Sequence, residues 1–101
     1  MVYYKGEYHL FHQYNINEQI YWGHAVSKDL VRWKRLPKAI APDKIGQIWS
    51  GSAVVDEENQ RMVAFFTYSE HETKRQSQGV AFSYDKGRTW EKYSGNPILT
   101  D

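Results

Sequence analysis

An all-β chain of two four-stranded antiparallel blades is what the sequence predicts, and three observations carry the prediction. One pattern occurs twice, as Ala25-Val26-Ser27-Lys28-Asp29 running on to Trp33 and as Ala81-Phe82-Ser83-Tyr84-Asp85 running on to Trp90. The two serines lie 56 residues apart (83 − 27), too far for a helical solenoid repeat and suited to a four-stranded propeller blade. Each copy is preceded by a run rich in aromatic and β-branched residues, Glu7 to Tyr14 and Arg61 to Tyr68, the residue types that fit a pleated sheet. Helix is nearly absent, because Lys28 to Lys34 has some periodicity but is too short to stand alone.

The elements follow in order. Lys5-Gly6 turns the chain into the long strand of the first copy, a third strand leads into Ser27-Lys28-Asp29, and a fourth runs from Trp33 through Lys34-Arg35-Leu36. Ala41 to Gly46 lies between the copies, where one blade hands over to the next. Trp49-Ser50-Gly51-Ser52 then opens the innermost strand of the second copy, the position nearest a propeller's central channel. Asp56 to Gln60 is the next turn, Glu70 to Ser77 reads as a polar, solvated loop, and Trp90-Glu91-Lys92-Tyr93 is the last strand. Tyr14 and Tyr68 are 54 apart (68 − 14), so the repeat drifts by two residues through loop length. Blade one is expected at about 1–40 and blade two at about 47–99.

In the second copy Ser83, Asp85, Gly87, Thr89 and Trp90 complete a hairpin signature, Ser-x-Asp-x-Gly-x-Thr-Trp. Its chemistry is turn-making: a short Asp side chain accepts from backbone N–H groups, Gly takes positive φ, and Trp anchors the next strand. Asp29 and Asp85 are therefore expected to hold turns rather than a ligand. Sialidases carry the same hairpin, so it selects no substrate, and nothing like their arginine cluster is visible.

Composition bounds the alternatives. A chain of 101 residues is at most one small domain and buries only about 60–65% of its unfolded surface. Its net charge is +1, with 13 basic and 12 acidic residues interspersed, which argues against a nucleic-acid patch or a polybasic membrane anchor. Cysteine is absent, so no disulfide framework is expected and the compartment stays undetermined. The start has no apolar signal region and the longest strongly apolar run is Met62 to Phe66, so neither a signal peptide nor a membrane span is expected. His9 and His12, three apart on a strand, face opposite ways, while His24 and His71 read as isolated. Neither a metal site nor a cofactor is expected.

The ordered segments Tyr8-His9-Leu10-Phe11-His12-Gln13-Tyr14-Asn15, Trp22 to Trp33, Leu36-Pro37, Pro42-Asp43, Ser50 to Asp56 and Gly95-Asn96-Pro97 resemble glycoside hydrolase family 32, the β-fructosidases that include invertases, levanases and inulinases. The resemblance covers essentially all 101 residues. It implies a five-bladed β-propeller whose axial funnel holds fructose, with sucrose or a fructan as substrate, and a retaining hydrolysis by two carboxyl groups.

The family's catalytic segments are not among these residues. The nucleophilic Asp belongs to a Trp-Met-Asn-Asp-Pro-Asn-Gly segment just before the residues matching Met1-Val2-Tyr3-Tyr4, and the stabilising Asp and the acid/base Glu belong beyond Gly95-Asn96-Pro97. No residue of this chain is thus expected to be catalytic. The isolated polypeptide is expected to be inactive, with terminal Asp101 a poor substitute because acid–base work needs a positioned group.

Substrate contacts carry over singly. Gln13 matches the Gln that the family sets near the fructosyl unit, and Trp49 and Ser50 match an aromatic-Ser pair lining the sugar subsite. On its residues alone, Gln13 also reads as a strand-end amide bonding backbone and Trp49 as core. Two departures stand out: Ile16 replaces the usual Pro, and the connection from Gln13 to Trp22-Gly23-His24 is about four residues shorter than the family's. Trp22 matches the second, more structural Trp of that segment, and preference among sucrose, levan and inulin is not inherited. A standalone, non-catalytic sugar-binding or vestigial propeller fragment is the alternative. Uncovered blade faces imply self-association.

Overall fold

The computed structural model describes residues 1–71, 73 and 75–100. Strands β1 (Val2–Tyr4), β2 (Glu7–Ile16), β3 (Gln19–Ser27) and β4 (Lys34–Ile40) form one antiparallel sheet in chain order. Strands β5 (Gly46–Asp56), β6 (Arg61–Glu70), β7 (Gln76–Ser83) and β8 (Glu91–Lys92) form the second, and β9 (Leu99–Thr100) adds to the same sheet along β7. These are the two four-stranded sheets that the repeat predicts.

The fourth position of the second sheet is filled piecemeal. β8 pairs with Ala81 and Phe82, and β9 pairs with Ser77 and Gln78. Between them the Asn96 amide stands in for a strand: its Oδ1 accepts from the Val80 N–H at 3.0 Å, and its Nδ2 donates to the Val80 carbonyl at 2.9 Å. The Val80 carbonyl accepts from the Tyr93 N–H as well, at 2.9 Å, so the Asn96 oxygen is what pairs the Val80 N–H.

Three expectations about element limits are corrected. Trp33 and Trp90 stand just before β4 and β8 instead of opening them, because each indole N–H donates to a turn carbonyl, Leu30 at 3.2 Å and Gly87 at 2.9 Å. Trp49-Ser50-Gly51-Ser52 lies in the middle of β5, not at its start. The segment Glu70 to Ser77 is strand only at its ends: Glu70 closes β6, and Gln76 and Ser77 open β7 by pairing with Ser69 and Tyr68, since backbone pairing carries the ladder whatever the polarity of the side chains. The two-residue drift of the repeat arises between strands two and three of each sheet. Ile16 pairs with Gln19 across Asn17-Glu18, whereas in the second sheet the Glu70 N–H reaches the Arg75 carbonyl across four residues. Asn17 and Glu18 both have positive φ, 50° and 66°, the requirement of a tight two-residue hairpin.

The Ser-x-Asp hairpins are turns, as their chemistry predicts. Asp29 Oδ1 accepts from the N–H groups of Val31 and Arg32, each at 2.9 Å, and Ser27 Oγ accepts from Leu30 at 2.9 Å. Asp85 and Ser83 do the same for Thr89 and Gly87, each at 2.8 Å. The Arg32 N–H, followed by those of its neighbours, holds the Asp29 carboxyl below the usual range. Gly87 sits at φ 84°, and a Cβ there would come within 2.6 Å of the His24 ring, so this turn needs glycine both for its backbone and for space.

The sheets pack face to face over an aromatic seam. Period-two alternation sends Glu7, His9, Phe11 and Gln13 of β2 to one face, and Ala64, Phe66 and Tyr68 of β6 share the core cluster against which Phe11 packs. Trp22, Ile40, Ile48, Phe66 and Tyr68 are all at most 3% exposed, with Phe11 and Trp90 packed against them. Trp22 meets Phe66 edge-on at 6.3 Å, and Phe11 lies 5.5 Å from Trp22 and 5.6 Å from Trp90 between ring centres. Edge-to-face contacts of this kind add to the area that the rings bury.

Candidate functional site

At one end of this seam a small cleft opens between the sheets. Gln13 and Trp22 are partners in the β2–β3 register. Across the seam, β5 carries a bulge between Ile48 and Gly51, where three steps of β5 oppose two of β6. The extra residue takes Trp49 and Ser50 out of the ladder and re-aims their side chains. Gly51 permits it, since a Cβ at that position would fall 1.8 Å from the Phe65 carbonyl oxygen.

The bulge brings Ser50 to Gln13. The Gln13 Nε2 donates to Ser50 Oγ at 3.3 Å, joining residues 37 apart in sequence, and both side chains are exposed. The cleft around them holds about 150 Å³ and is lined also by Phe11, Trp22, His12 and Met1. Of the three residues singled out from the sequence, Gln13 and Ser50 therefore meet. The Gln13 amide bonds a side chain and not the backbone. Trp49 is half-buried and stands outside the lining, and its carbonyl accepts from the Trp22 indole at 2.7 Å. No carboxylate lines the cleft. An amide, a hydroxyl and an apolar floor without net charge suit a neutral, hydroxyl-rich ligand. Asp101, weighed above as a poor catalytic substitute, lies outside the described residues.

The opposite end of the seam is charged. Arg88, in the turn after β7, grips Glu7 with two hydrogen bonds, Nη1 to Oε1 at 2.7 Å and Nη2 to Oε2 at 2.9 Å. This fork pulls the buried Glu7 carboxyl down to about 2, against a smaller opposing effect of burial. Glu7 was not singled out by the sequence. It opens a strand, and the alternation of β2 turns it inward.

His24 corrects an expectation. It is not isolated: its Nε2 lies 2.8 Å from His9 Nδ1, both rings are fully buried, and Phe11 stacks on His24 at 4.4 Å. The partners are 15 apart in sequence, and only the hairpin register of β2 on β3 makes them neighbours. Burial, then the neighbouring His9, pushes His24 down to about 4, and burial lowers His9 as well. At neutral pH the pair is uncharged. His12 faces the other way and is exposed, as alternation requires. Among the described residues no three His, Asp or Glu side chains gather as metal ligands.

Comparison with known proteins places this geometry. All 101 residues match the model of the glycosyl hydrolases family 32 N-terminal domain. The levanase of Bacillus subtilis (strain 168) is 50% identical over 112 aligned positions, which cover 98% of this chain and 16% of that enzyme. Among solved structures, fructan 1-exohydrolase IIa from Cichorium intybus superposes with a TM-score of 0.86 at 37% identity, over 97% of this chain and 20% of that one. Exo-inulinase from Aspergillus awamori gives 0.85 at 34% identity, over 97% and 25%. The chain thus spans a quarter or less of each of these relatives. Two antiparallel sheets agree with the all-β fold that the resemblance in sequence implied, and the chain belongs to the N-terminal domain family of glycosyl hydrolase family 32.

Proposed function

We propose that the two sheets, about 1–40 and about 47–99, are two blades of a five-bladed propeller in a β-fructosidase, and that Gln13, Ser50 and Trp49 belong to its fructosyl subsite. The carrying observation is the meeting of the Gln13 amide with the Ser50 hydroxyl across the seam. Such a pair accepts and donates to sugar hydroxyls, and the half-exposed Trp49 ring offers an apolar wall for a sugar face. The parent hydrolyses fructosyl bonds of sucrose or of a fructan, a reading supported by similarity to a levanase, a fructan exohydrolase and an exo-inulinase. Retaining hydrolysis requires two carboxyl groups about 5–5.5 Å apart across the bond. The cleft lining holds none, so the reacting groups come from polypeptide beyond these residues and the chain by itself does no hydrolysis.

Uncovered faces fit the same reading. With the 54-residue offset, Tyr8, Leu10, His12 and Tyr14 correspond to Met62, Ala64, Phe66 and Tyr68, the buried face of the second sheet. On the first sheet that face lies open, with Tyr3 and Leu10 among its exposed apolar residues. It is the side on which a preceding blade packs, and in isolation it drives self-association.

The test incubates the 101-residue chain with sucrose and with levan and measures free fructose, while fructose binding is followed by the side-chain amide signal of Gln13. No release, with a Gln13 response that Ser50→Ala weakens, is the expected result. Release of fructose by the chain alone overturns the account of the carboxylates, and a silent Gln13 signal overturns the subsite.

A further inference from the structure

Trp22 links both halves of the cleft through fixed geometry. Within its own sheet it is the register partner of Gln13. Towards the other sheet its indole Nε1 donates to the carbonyl of Trp49 at 2.7 Å, and Trp49 immediately precedes Ser50. The ring is 3% exposed and wedged between Phe11 and Phe66, so its direction is set by packing on both sides. The bulge removes Trp49 from the β5–β6 register, and its carbonyl then needs a donor from elsewhere. A second bond alongside, from the Ile20 N–H to Gln47 Oε1 at 3.0 Å, ties the same two strands.

We propose that Trp22 is a positioning residue for the sugar subsite: its indole N–H holds the Trp49–Ser50 bulge at the distance at which Ser50 meets Gln13. Trp22 also belongs to the floor of the cleft, and the positioning role is separate from that contact. It acts through the peptide group between Trp49 and Ser50, and the spacing of the two polar groups is set by how the sheets dock and not by either sheet alone. The proposal rests on the subsite reading above for its functional meaning, and on the hydrogen bond for its structural content.

The experiment uses the full chain with Trp22→Phe, which removes the N–H and keeps an aromatic ring, and with benzothienylalanine at position 22, which keeps the bicyclic shape and replaces N–H by sulfur. The first readout needs no ligand: the Ser50 amide nitrogen shares a peptide group with the Trp49 carbonyl, so its NMR signal reports the bond directly. Both variants are expected to shift that signal and to speed exchange of the Ser50 amide roughly tenfold relative to Ala64 and Ala81, as loss of about one hydrogen bond allows. The second readout is fructose binding, expected to weaken roughly three- to tenfold in both variants. Benzothienylalanine distinguishes bond from bulk. If it leaves the Ser50 signal as in the unsubstituted chain, Trp22 serves packing alone and the proposal falls. If the signal moves while fructose affinity does not, the positioning role falls. If the unsubstituted chain shows no fructose response, the subsite reading falls, and the Ser50 signal still decides whether Trp22 holds the bulge.

Discussion

The two ends of the seam between the sheets are held by opposite chemistry. At the Glu7 end a carboxylate is gripped by both arms of Arg88, and two buried imidazoles lean on each other behind it. At the Gln13 end a single neutral bond of 3.3 Å joins two exposed side chains, with an aromatic cluster between the ends. At the charged end both carboxylate oxygens of Glu7 are engaged by Arg88, so it clamps. The neutral end leaves an amide and a hydroxyl with spare donors and acceptors, so it can receive a ligand. Clamping is concentrated at one end of the seam and the proposed subsite at the other.

The contrast can be broken from the middle outward. Phe66→Ala, at a site with no exposure, should cost about 3–5 kcal/mol in urea unfolding, enough to uncouple the two ends altogether. Glu7→Gln should cost about 2 kcal/mol, the size of a lost charge-assisted pair, and a loss below a few tenths would show that the clamp is ornamental.

Acid sharpens the same comparison. His24 ionises at about 4 in the fold against an ordinary 6.5, so the unfolded chain takes up its proton first and stability declines as pH falls from 6.5 towards 4. Glu7, at about 2 against an ordinary 4.5, adds a further decline between those values. Thermal unfolding as a function of pH should therefore fall in two stages, and Glu7→Gln should shrink the lower one, to which Asp29, Asp43, Asp56 and Asp85, also held below their usual range, contribute the rest. The smallest stability change belongs to the open end. Gln13→Ala should alter unfolding by less than about 0.5 kcal/mol, as expected for an exposed pair, while removing the fructose response of the cleft.

The sequence made the repeat legible because turn chemistry is local. Ser27, Asp29, Ser83 and Asp85 bond groups two to four residues away, and such bonds leave a readable spacing. The cleft was legible only in part. Gln13 and Ser50 stood out through family likeness, but the bulge that aims Ser50 depends on a slip between β5 and β6 that no local signal announces. The His9–His24 pair and the inward Glu7 were missed for the same reason: their partners are 15 and 81 residues away. Alternation along β2 was the available clue, since it places Glu7 and His9 on the face of Phe11. The end of segment Glu70 to Ser77 misled because polarity was read as solvation, whereas Ser77 pairs in β7 and is buried.

The edges of the two sheets tell a different story from their faces. Outer strand β4 carries Pro37 among Lys34, Arg35 and Lys38, β5 is interrupted by its bulge, and the rim of β7 is closed by two stubs and the Asn96 amide. Each device denies an incoming strand a straight run of free N–H and C=O groups. Copies of this molecule that meet are thereby steered towards stacking flat side to flat side, and away from growing into cross-β fibrils.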